Sequence, residues 1–267
     1  MLTGTIKNTV TNYSFPLQGH DSQYQLIEVT GLAPAPATVN MATVAGMDGA
    51  RYNSARVDTR NIVITLKLND ADAVRKTLED NFYTGAPVLM TVTTGDRTAK
   101  IEGHIDSFEC ELFSNSERAQ ISIICPDPLF QDVNTRTITI SPSGTQITDV
   151  NNIDTGVFIR IRYTGATMSR SPVIAITRAG QPVSILTVSH EFDTNDTIEI
   201  CTVKGRRSVT LIRNGVRSNI FGALQQGSTF WGIYAGHNMI AYTIDGSDTP
   251  NNALQVTVEY TKQYAGM

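Results

Sequence analysis

The sequence predicts a mainly β protein of two domains, and three observations support this. Apolar residues alternate with polar ones in many short segments, as in strands that bury one face and expose the other. Glycine, asparagine and aspartate mark turns between these segments. Only one segment has helical periodicity. A chain of 267 residues is long enough for one large or two ordinary domains and needs no disulfide or metal to fold.

The alternation of apolar and polar residues is clearest in four segments. Their apolar residues, each two positions from the next, run from Ile62 to Leu68, from Ile121 to Cys125, from Val157 to Tyr163 and from Leu254 to Tyr260. We expect each segment to be an antiparallel strand, because such strands bury alternate side chains.

One apparent strand changes phase along its length. Ile101 and Ile105 are odd-numbered, whereas Phe108 and Cys110 are even-numbered. A regular strand cannot keep both pairs on one face. We therefore predict a β-bulge or a tight bend near Asp106–Ser107.

Turn residues predict hairpins between several strands. Asn214–Gly215 lies between two apolar segments and is typical of a two-residue hairpin. Thr94–Gly95–Asp96 and Asp245–Gly246 are similar but weaker signals.

One helix is predicted, with a strand on each side. Its apolar residues are three or four positions apart and form a single stripe: Ala71, Val74, Leu78 and Phe82. Asp70 is expected to cap its N-terminus, and Gly85 and Pro87 to end it. The stripe should pack across a sheet.

The segment from Gly31 to Val57 has little sustained periodicity. It is longer than an ordinary connection, so we interpret it as a functional loop or an extended arm. A domain boundary is predicted near Pro126 to Arg136, since one series of strands ends there and another begins. The predicted domains are residues 1–133, with the helix and the arm, and residues 134–267, with strands only.

Composition limits the classes of function. The formal net charge is -4 and the sequence pI is near 5.6, unlike a basic nucleic-acid-binding domain. A basic group from Lys204 to Arg207 is interpreted as a solvated hairpin edge rather than a phosphate site. The three cysteines lack metal or redox spacing and predict a reducing compartment. With no export signal and no apolar stretch long enough for a membrane helix, the chain is expected to fold in a cytoplasm.

No arrangement of residues predicts catalysis or a cofactor. The four histidines lack metal-ligand spacing, and adjacent residues such as His190 and Glu191 point to opposite faces of a strand. Glu109 and Glu111 share a strand face, as paired carboxylates of a glycosidase would, but a solvated face is the favoured interpretation. The acidic segment Asp193–Glu199 lacks the glycine and glutamate of a calcium loop. We predict no enzyme, no cofactor and no metal.

An aromatic group near Trp231 and Tyr234 allows a second interpretation. These side chains could form a platform for stacking sugars or for docking a partner. Aromatic residues fill cores more often than they bind ligands, so burial of Trp231 is the favoured alternative.

The first half of the chain contains four distinctive segments: Gly31–Ala37, Met47–Arg56, Arg60–Leu66 and Cys125–Phe130. Together they resemble the distal tail protein family of long-tailed bacteriophages. Members of that family carry a proline-bearing loop, an Asp-Gly segment followed by an aromatic residue, Asn and Ser, and an Arg-Asn-Ile-Val strand. The second half is similar in its order of motifs, from Asp196–Ile200 to Tyr264–Gly266, although those motifs are generic.

The resemblance implies two β-sandwich domains, the second of them galectin-like. It also implies a ring of copies, six in number, at the distal end of the tail tube. The expected partners are other copies, the tube protein, the tail-tip or lysin-type protein, and receptor-binding or baseplate proteins. The expected location is the virion, after assembly in the host cytoplasm, with no membrane and no specific nucleic acid bound.

We expect the segment Gly31 to Val57 to be the arm that reaches the next copy. The residues predicted for this interface are Pro34, Pro36, Gly46, Asp48, Gly49, Arg51, Arg56 and Arg60. Arginines suit such contacts because they donate to carboxylates or carbonyls in pairs. The alternatives are a loop folded on its own domain, a carbohydrate-binding tail or baseplate protein that recognises host cell-wall glycans, a glycoside hydrolase, and the tube protein itself, which should have one domain.

Overall fold

The computed structural model describes residues 2–17, 23–46, 48–69, 71–111, 117–149, 153–165, 172–178, 181–244 and 254–267. The chain divides into two compact units, Met1–Val133 with Tyr264–Met267, and Asn134–Gln263. These units differ from the predicted limits of 1–133 and 134–267 only in the last four residues, which group with the first unit. The segment Tyr264–Met267 is held in the first unit by a hydrogen bond from the Tyr264 hydroxyl to Asp132 Oδ2 (2.8 Å).

The first unit contains nine strands and one helix among its described residues, and β10 begins in it. They are β1 (Leu2–Asn8), β2 (Ser14–Leu17), β3 (Tyr24–Thr30), β4 (Ala37–Ala42), β5 (Arg51–Val57), β6 (Arg60–Leu68), α1 (Ala71–Asn81), β7 (Pro87–Thr94), β8 (Arg97–Cys110), β9 (Arg118–Cys125) and β10 (Phe130–Ile140).

One antiparallel sheet of the first unit has the order β2-β1-β7-β8-β9-β6-β3. A single core takes side chains from both ends of this order, for example Leu17 of β2 and Ile64 of β6. The sheet therefore folds over one core, as in a β-sandwich. The predicted bulge is confirmed, because the pairing of β8 with β9 shifts between Ile105 and Ser107.

The predicted helix is confirmed as α1. Val74, Leu78 and Phe82 are buried in the core of the first unit, so its apolar stripe packs against the sheet as expected. Gly85 has φ +85°, a conformation in which glycine commonly ends a helix. The predicted cap at Asp70 lies outside the described residues.

The second unit contains two main sheets. Its strands are β11 (Thr145–Asp149), β12 (Thr155–Gly156), β13 (Phe158–Tyr163), β14 (Pro172–Arg178), β15 (Ser184–Thr187), β16 (Thr197–Cys201), β17 (Ser208–Arg213), β18 (Val216–Asn219), β19 (Gly232–Ile233), β20 (Gly236–Ile244) and β21 (Leu254–Tyr264), with a 3-10 helix at Phe221–Ala223. The larger sheet has the order β18-β17-β16-β13-β21-β10, and the smaller has the order β11-β20-β14-β15.

Both sheets of the second unit contribute to one core. Ile159 and Val256 come from the larger sheet, and Ile174 and Ile240 from the smaller one. The mainly β fold class and the sandwich architecture are thus confirmed. The galectin-like character of this unit stays a prediction.

Two predicted hairpins are confirmed. Asn214 and Gly215 join β17 to β18 with φ +51° and +79°, the pair of positive angles that a type I′ turn requires. Gly95 and Asp96 join β7 to β8, whose residues Thr94 and Arg97 pair directly. The predicted turn Asp245–Gly246 lies outside the described residues.

The acidic segment before β16 is a turn held by an ion pair. Arg213 Nε donates to Asp196 Oδ1 at 3.0 Å, and the Asp193 amide donates to Asp196 Oδ2 at 2.7 Å. Burial alone would raise the pKa of Asp196, but the hydrogen bonds from Arg213 and from the Asp193 amide, with the charge of Arg213, hold it below its usual value. These contacts occupy the carboxylate and explain the segment without calcium.

The lowered pKa of Asp196 predicts a dependence of stability on pH. Because the folded pKa lies below the unfolded value of 3.8, this contribution is complete above that pH and is lost as the pH falls through the folded pKa. We expect Asp196→Asn to be less stable than the wild type at pH 7, with the difference shrinking below about pH 4. Urea unfolding of both proteins across this range measures the difference. A difference that stays constant with pH would contradict the prediction.

Candidate functional site

The segment between Gly31 and Val57 forms a β-hairpin of its own. Among the described residues, β4 and β5 pair only with each other, from Ala37 opposite Val57 to Ala42 opposite Arg51, with a bulge between Asn40 and Met41. Every residue of β5 is exposed, and so are the first five residues of β4. A two-stranded hairpin has marginal stability in water unless something covers it. We call residues 37–57 the arm.

The two faces of the arm differ in polarity. Residues directly opposite each other in an antiparallel pair share a face, so the pairing assigns each paired side chain to a face. One face consists of Ala37, Val39, Met41, Tyr52, Ala55 and Val57. The other consists of Thr38, Asn40, Ala42, Arg51, Ser54 and Arg56. The arm therefore has one apolar face and one polar face, the pattern of a strand pair that covers a core.

The apolar face of the arm is open to solvent. Met41 is 61% exposed and Tyr52 is 62% exposed, and Val39 and Val57 are exposed as well. Contiguous exposed apolar side chains are typical of a surface that binds a partner. The pattern is that of a buried sheet, yet no described part of the chain buries it.

Most of the residues predicted for the interface lie on or beside the arm. Pro34 and Pro36 precede β4, while Gly46, Asp48 and Gly49 lie in the connection to β5, and Arg51 and Arg56 lie on the polar face. All seven are exposed. The side chains that make the arm amphipathic, Val39, Met41 and Tyr52, were not among the residues predicted.

A sequence signal for the apolar face did exist. Ala37, Val39 and Met41 are two residues apart, which is strand periodicity. In β5 the bulge inserts an extra residue, so Tyr52 is out of phase with Ala55. The period of two is broken there, so the sequence of this segment shows no regular alternation of apolar residues.

The base of the arm is fastened to the first unit by Arg60. Its Nη1 donates to the carbonyl oxygens of Gly31 and Ala33, and its Nη2 donates to that of Ala265. Its Nε donates to the Pro128 carbonyl oxygen at 2.8 Å. The guanidinium carbon also lies 4.6 Å from the centre of the Phe130 ring, within the range of a cation–π contact.

The prediction that Arg60 contacts a neighbouring copy is wrong. Its side chain is buried and its donors bind carbonyl groups of its own chain. Burial lowers the pKa of Arg60, but a guanidinium stays protonated in proteins. Burial likewise raises the pKa of the neighbouring Cys125 thiol to about 11, so Cys125 is an unreactive apolar residue at neutral pH.

Gly31, in the segment that leads to the arm, has a backbone conformation that other residues rarely adopt. Its φ is +81°, and an added Cβ would lie 2.0 Å from the Asn61 carbonyl oxygen. We expect Gly31→Ala to destabilise the first unit by about 2 kcal/mol through the left-handed backbone and the clash. Gly46→Ala is a matched control, because its φ is +83° but its Cβ meets nothing within 4 Å. Equal losses in urea unfolding would contradict a role for the Asn61 contact.

The predicted aromatic platform is corrected. Trp231 is buried in the core of the second unit, so its ring cannot stack on a sugar in solution. Tyr234 is only partly buried and packs against that core. The favoured sequence interpretation, core filling by Trp231, is the one observed.

The candidate catalytic groups occupy exposed or partly buried positions. Glu109 and Glu111 are exposed. His190 is partly buried, and burial lowers its pKa, with a further contribution from Arg213, while Glu191 is exposed. Within the described residues, no group of three or more histidine, cysteine, aspartate or glutamate side chains could hold a metal ion. None of the helices in the described part has the length and apolarity needed to cross a membrane.

Comparison with solved structures identifies the fold. The Dit protein of phage SPP1 superposes with a TM-score of 0.70 over 99% of both chains, at 14% sequence identity. The chain has the fold of SPP1 Dit. That protein is described as a paradigm of the hub adsorption apparatus in phages that infect Gram-positive bacteria.

Chains of the phage P2 baseplate are also similar. In its activated conformation, with Ca or with Sr, the baseplate contains chains that align over 100% of both lengths, with TM-scores of 0.49 and 9% identity. No protein-family model and no curated protein matches the sequence. The match to SPP1 Dit confirms, for the fold, the resemblance noted in the sequence.

Proposed function

We propose that this chain is a structural, non-enzymatic protein of a bacteriophage tail whose copies close into a ring. The ring is hexameric and lies at the distal end of the tail tube. It connects the tube protein to the tail-tip protein and to receptor-binding or baseplate proteins. The location of the protein is the virion. The observation that carries the proposal is the exposed apolar face of the arm.

The arm has the properties that a ring contact needs. A ring forms when one surface of each copy binds a different surface of the next and the rotation closes. The arm offers one such surface, because Met41 and Tyr52 would be buried against the neighbour. Its open strand edges can also pair with another strand. Fastening by Arg60 gives the base of the arm a fixed direction.

The similarity of fold supports this proposal over the tube protein and over an enzyme. SPP1 Dit, which is a hub protein, matches the chain along both units. A tube protein was expected to have a single domain, whereas this chain has two units. The exposed Glu109 and Glu111 lack the partly buried setting in which glycosidases tune a carboxylic acid.

Crosslinking in assembled tails tests the proposal. A photo-crosslinking amino acid at Met41 is expected to join neighbouring copies, and the same group at Asn40, on the polar face, is the matched control. Cryo-electron microscopy of the tails should show a ring of six copies. An arm folded against its own subunit, with no annular arrangement of copies, would refute the proposal.

A further inference from the structure

The outer face of the larger sheet in the second unit carries a buried carboxylate between two arginines. The Glu199 side chain is only 7% exposed, whereas Arg160 is 50% exposed and Arg217 is 62% exposed. Arg160 Nε and Nη2 donate to Glu199 Oε1 at 3.2 and 3.0 Å, and Arg217 Nη2 donates to Oε2. One carboxylate therefore holds two guanidiniums that both reach solvent.

The pairing of the strands explains this arrangement. Arg160 of β13 lies directly opposite Glu199 of β16. Arg217 of β18 reaches the same carboxylate diagonally across β17, since Glu199 pairs with Thr210 and Thr210 with Asn219. Each guanidinium has five N–H donors, and Glu199 accepts at most two from either. The remaining donors are held in a defined orientation, which lowers the entropy lost when they bind a ligand.

The charges of this face favour an anion. The ionised side chains at the outward positions of β13, β16, β17, β18 and β21 are Arg160, Arg162, Arg217, Glu199 and Glu259. Three cations and two anions leave an excess of positive charge on a chain whose net charge is -4. Arginine is suited to phosphate and carboxylate groups because it can donate to two oxygens at once.

The same face favours a sugar over a protein partner. Its other outward side chains are mostly small and polar: Thr197, Ser208, Thr210, Asn219, Gln255 and Thr257. The partly buried Cys201 and Ile212 also lie at outward positions. Among the described residues, none of the large hydrophobic side chains that are exposed lies at an outward position of these strands. Protein interfaces usually have an apolar centre with exposed aromatic anchors, whereas Phe158 and Ile212 on this face are partly buried. The half-buried Phe158, whose ring centre lies 5.7 Å from the Arg160 guanidinium carbon, offers one apolar surface beside the arginines.

We propose that this face binds a glycan that carries phosphate or carboxylate groups. Arg160 and Arg217 bind the anionic groups, Glu199 positions both arginines, and the neighbouring amide and hydroxyl side chains bind sugar hydroxyls. The site differs from the region of Trp231 in which the sequence had placed a sugar platform. It does not rest on ring formation, because no residue of the arm takes part.

Isothermal titration calorimetry of the full chain with four probes tests this site. The probes are oligogalacturonate, which carries carboxylates, glucosylated poly(glycerol phosphate), which carries phosphates, neutral dextran, and inorganic phosphate. We expect binding to at least one of the two anionic glycans and weaker binding to dextran and to inorganic phosphate. The two anionic probes distinguish a carboxylate ligand from a phosphate ligand.

Four substitutions distinguish the site from general attraction by charge. Arg160→Gln and Arg217→Gln are each expected to weaken binding about tenfold, the loss of one charge-assisted contact. Arg206→Gln removes the same charge from an exposed loop of the same unit and should leave binding unchanged. Glu199→Gln makes the face more positive yet should weaken binding, because the arginines lose their fixed orientation.

Several results would overturn the proposal. They are no binding of either anionic glycan by the wild type, equal effects of Arg206→Gln and Arg160→Gln, tighter binding by Glu199→Gln, and binding of inorganic phosphate as tight as that of the glycans. Docking of an acidic tail protein that Arg160→Gln prevents, in the absence of glycan binding, would assign the face to a protein partner. Native mass spectrometry of the same variants reports ring formation separately, so failure of one proposal leaves the other testable.

Discussion

Replacing Met41 and Tyr52 by glutamate should leave the chain folded and abolish ring assembly. Both side chains lie on the exposed apolar face of the arm, so the isolated chain loses no buried contact. In a ring, each would be buried against a neighbour, which stabilises the contact by about 1.5–3 kcal/mol per side chain. A buried unpaired carboxylate adds a further penalty. We expect the affinity at each interface to fall at least 100-fold, a change of about 2.7 kcal/mol. Native mass spectrometry of the variant and the wild type measures the loss of ring assembly.

The polar face of the arm supplies a matched control. Asn40 and Ser54 pair directly with each other on that face, and Asn40→Glu with Ser54→Glu adds the same charge to the same two strands. We expect this double variant to assemble like the wild type. Urea unfolding should give similar midpoints for all three proteins. Assembly by the Met41 and Tyr52 variant, or equal loss in the control, would assign ring contacts to another surface.

Replacing Arg60 by methionine should destabilise the first unit by about 3 kcal/mol. Methionine approximates the length and volume of the aliphatic part but donates no hydrogen bonds. Four carbonyl oxygens would lose their donor, those of Gly31, Ala33, Pro128 and Ala265. The loss of each of these partly buried hydrogen bonds costs about 1 kcal/mol. Urea unfolding followed by circular dichroism measures the loss.

Hydrogen exchange locates the effect of this substitution. Peptides that cover Gly31 to Pro34 and Tyr264 to Met267 should lose protection, because Arg60 joins these two segments. Arg56→Met is the control, since Arg56 is exposed on the arm and its ion pair with Asp58 is long, at 3.6 Å. Exposed pairs contribute at most about 1 kcal/mol. A stability of Arg60→Met equal to that of Arg56→Met would mean that water replaces the lost donors.

The strands and the helix were predictable because local patterns determine them. β6 buries Ile62, Ile64 and Leu66 on one face, and that period of two is visible in the sequence. The bulge at Asp106 was predictable for the same reason, since the phase of burial changes there. Each of these features depends on residues close together in the chain.

The arm and Arg60 were harder to interpret because their environment is set at long range. Arg60 is one of three arginines near the arm, and nothing local distinguishes it from Arg51 and Arg56. What distinguishes it is its contact with Ala265, 205 residues away in sequence. The burial of Trp231 is likewise decided by the two sheets around it, because an aromatic residue suits a core and a binding surface equally.

The return of Tyr264–Met267 to the first unit has a consequence for the order of synthesis. The second unit consists of Asn134–Gln263. The ribosome therefore synthesises that unit before the segment Tyr264–Met267, whose Ala265 carbonyl group binds Arg60. The Ala265 carbonyl group and the hydrogen bond from the Met267 amide to the Leu32 carbonyl oxygen become available only then. Contacts between residues so far apart in the chain form late in folding. Until residues 264–267 have been synthesised, a nascent chain therefore carries an arm whose base is incompletely anchored.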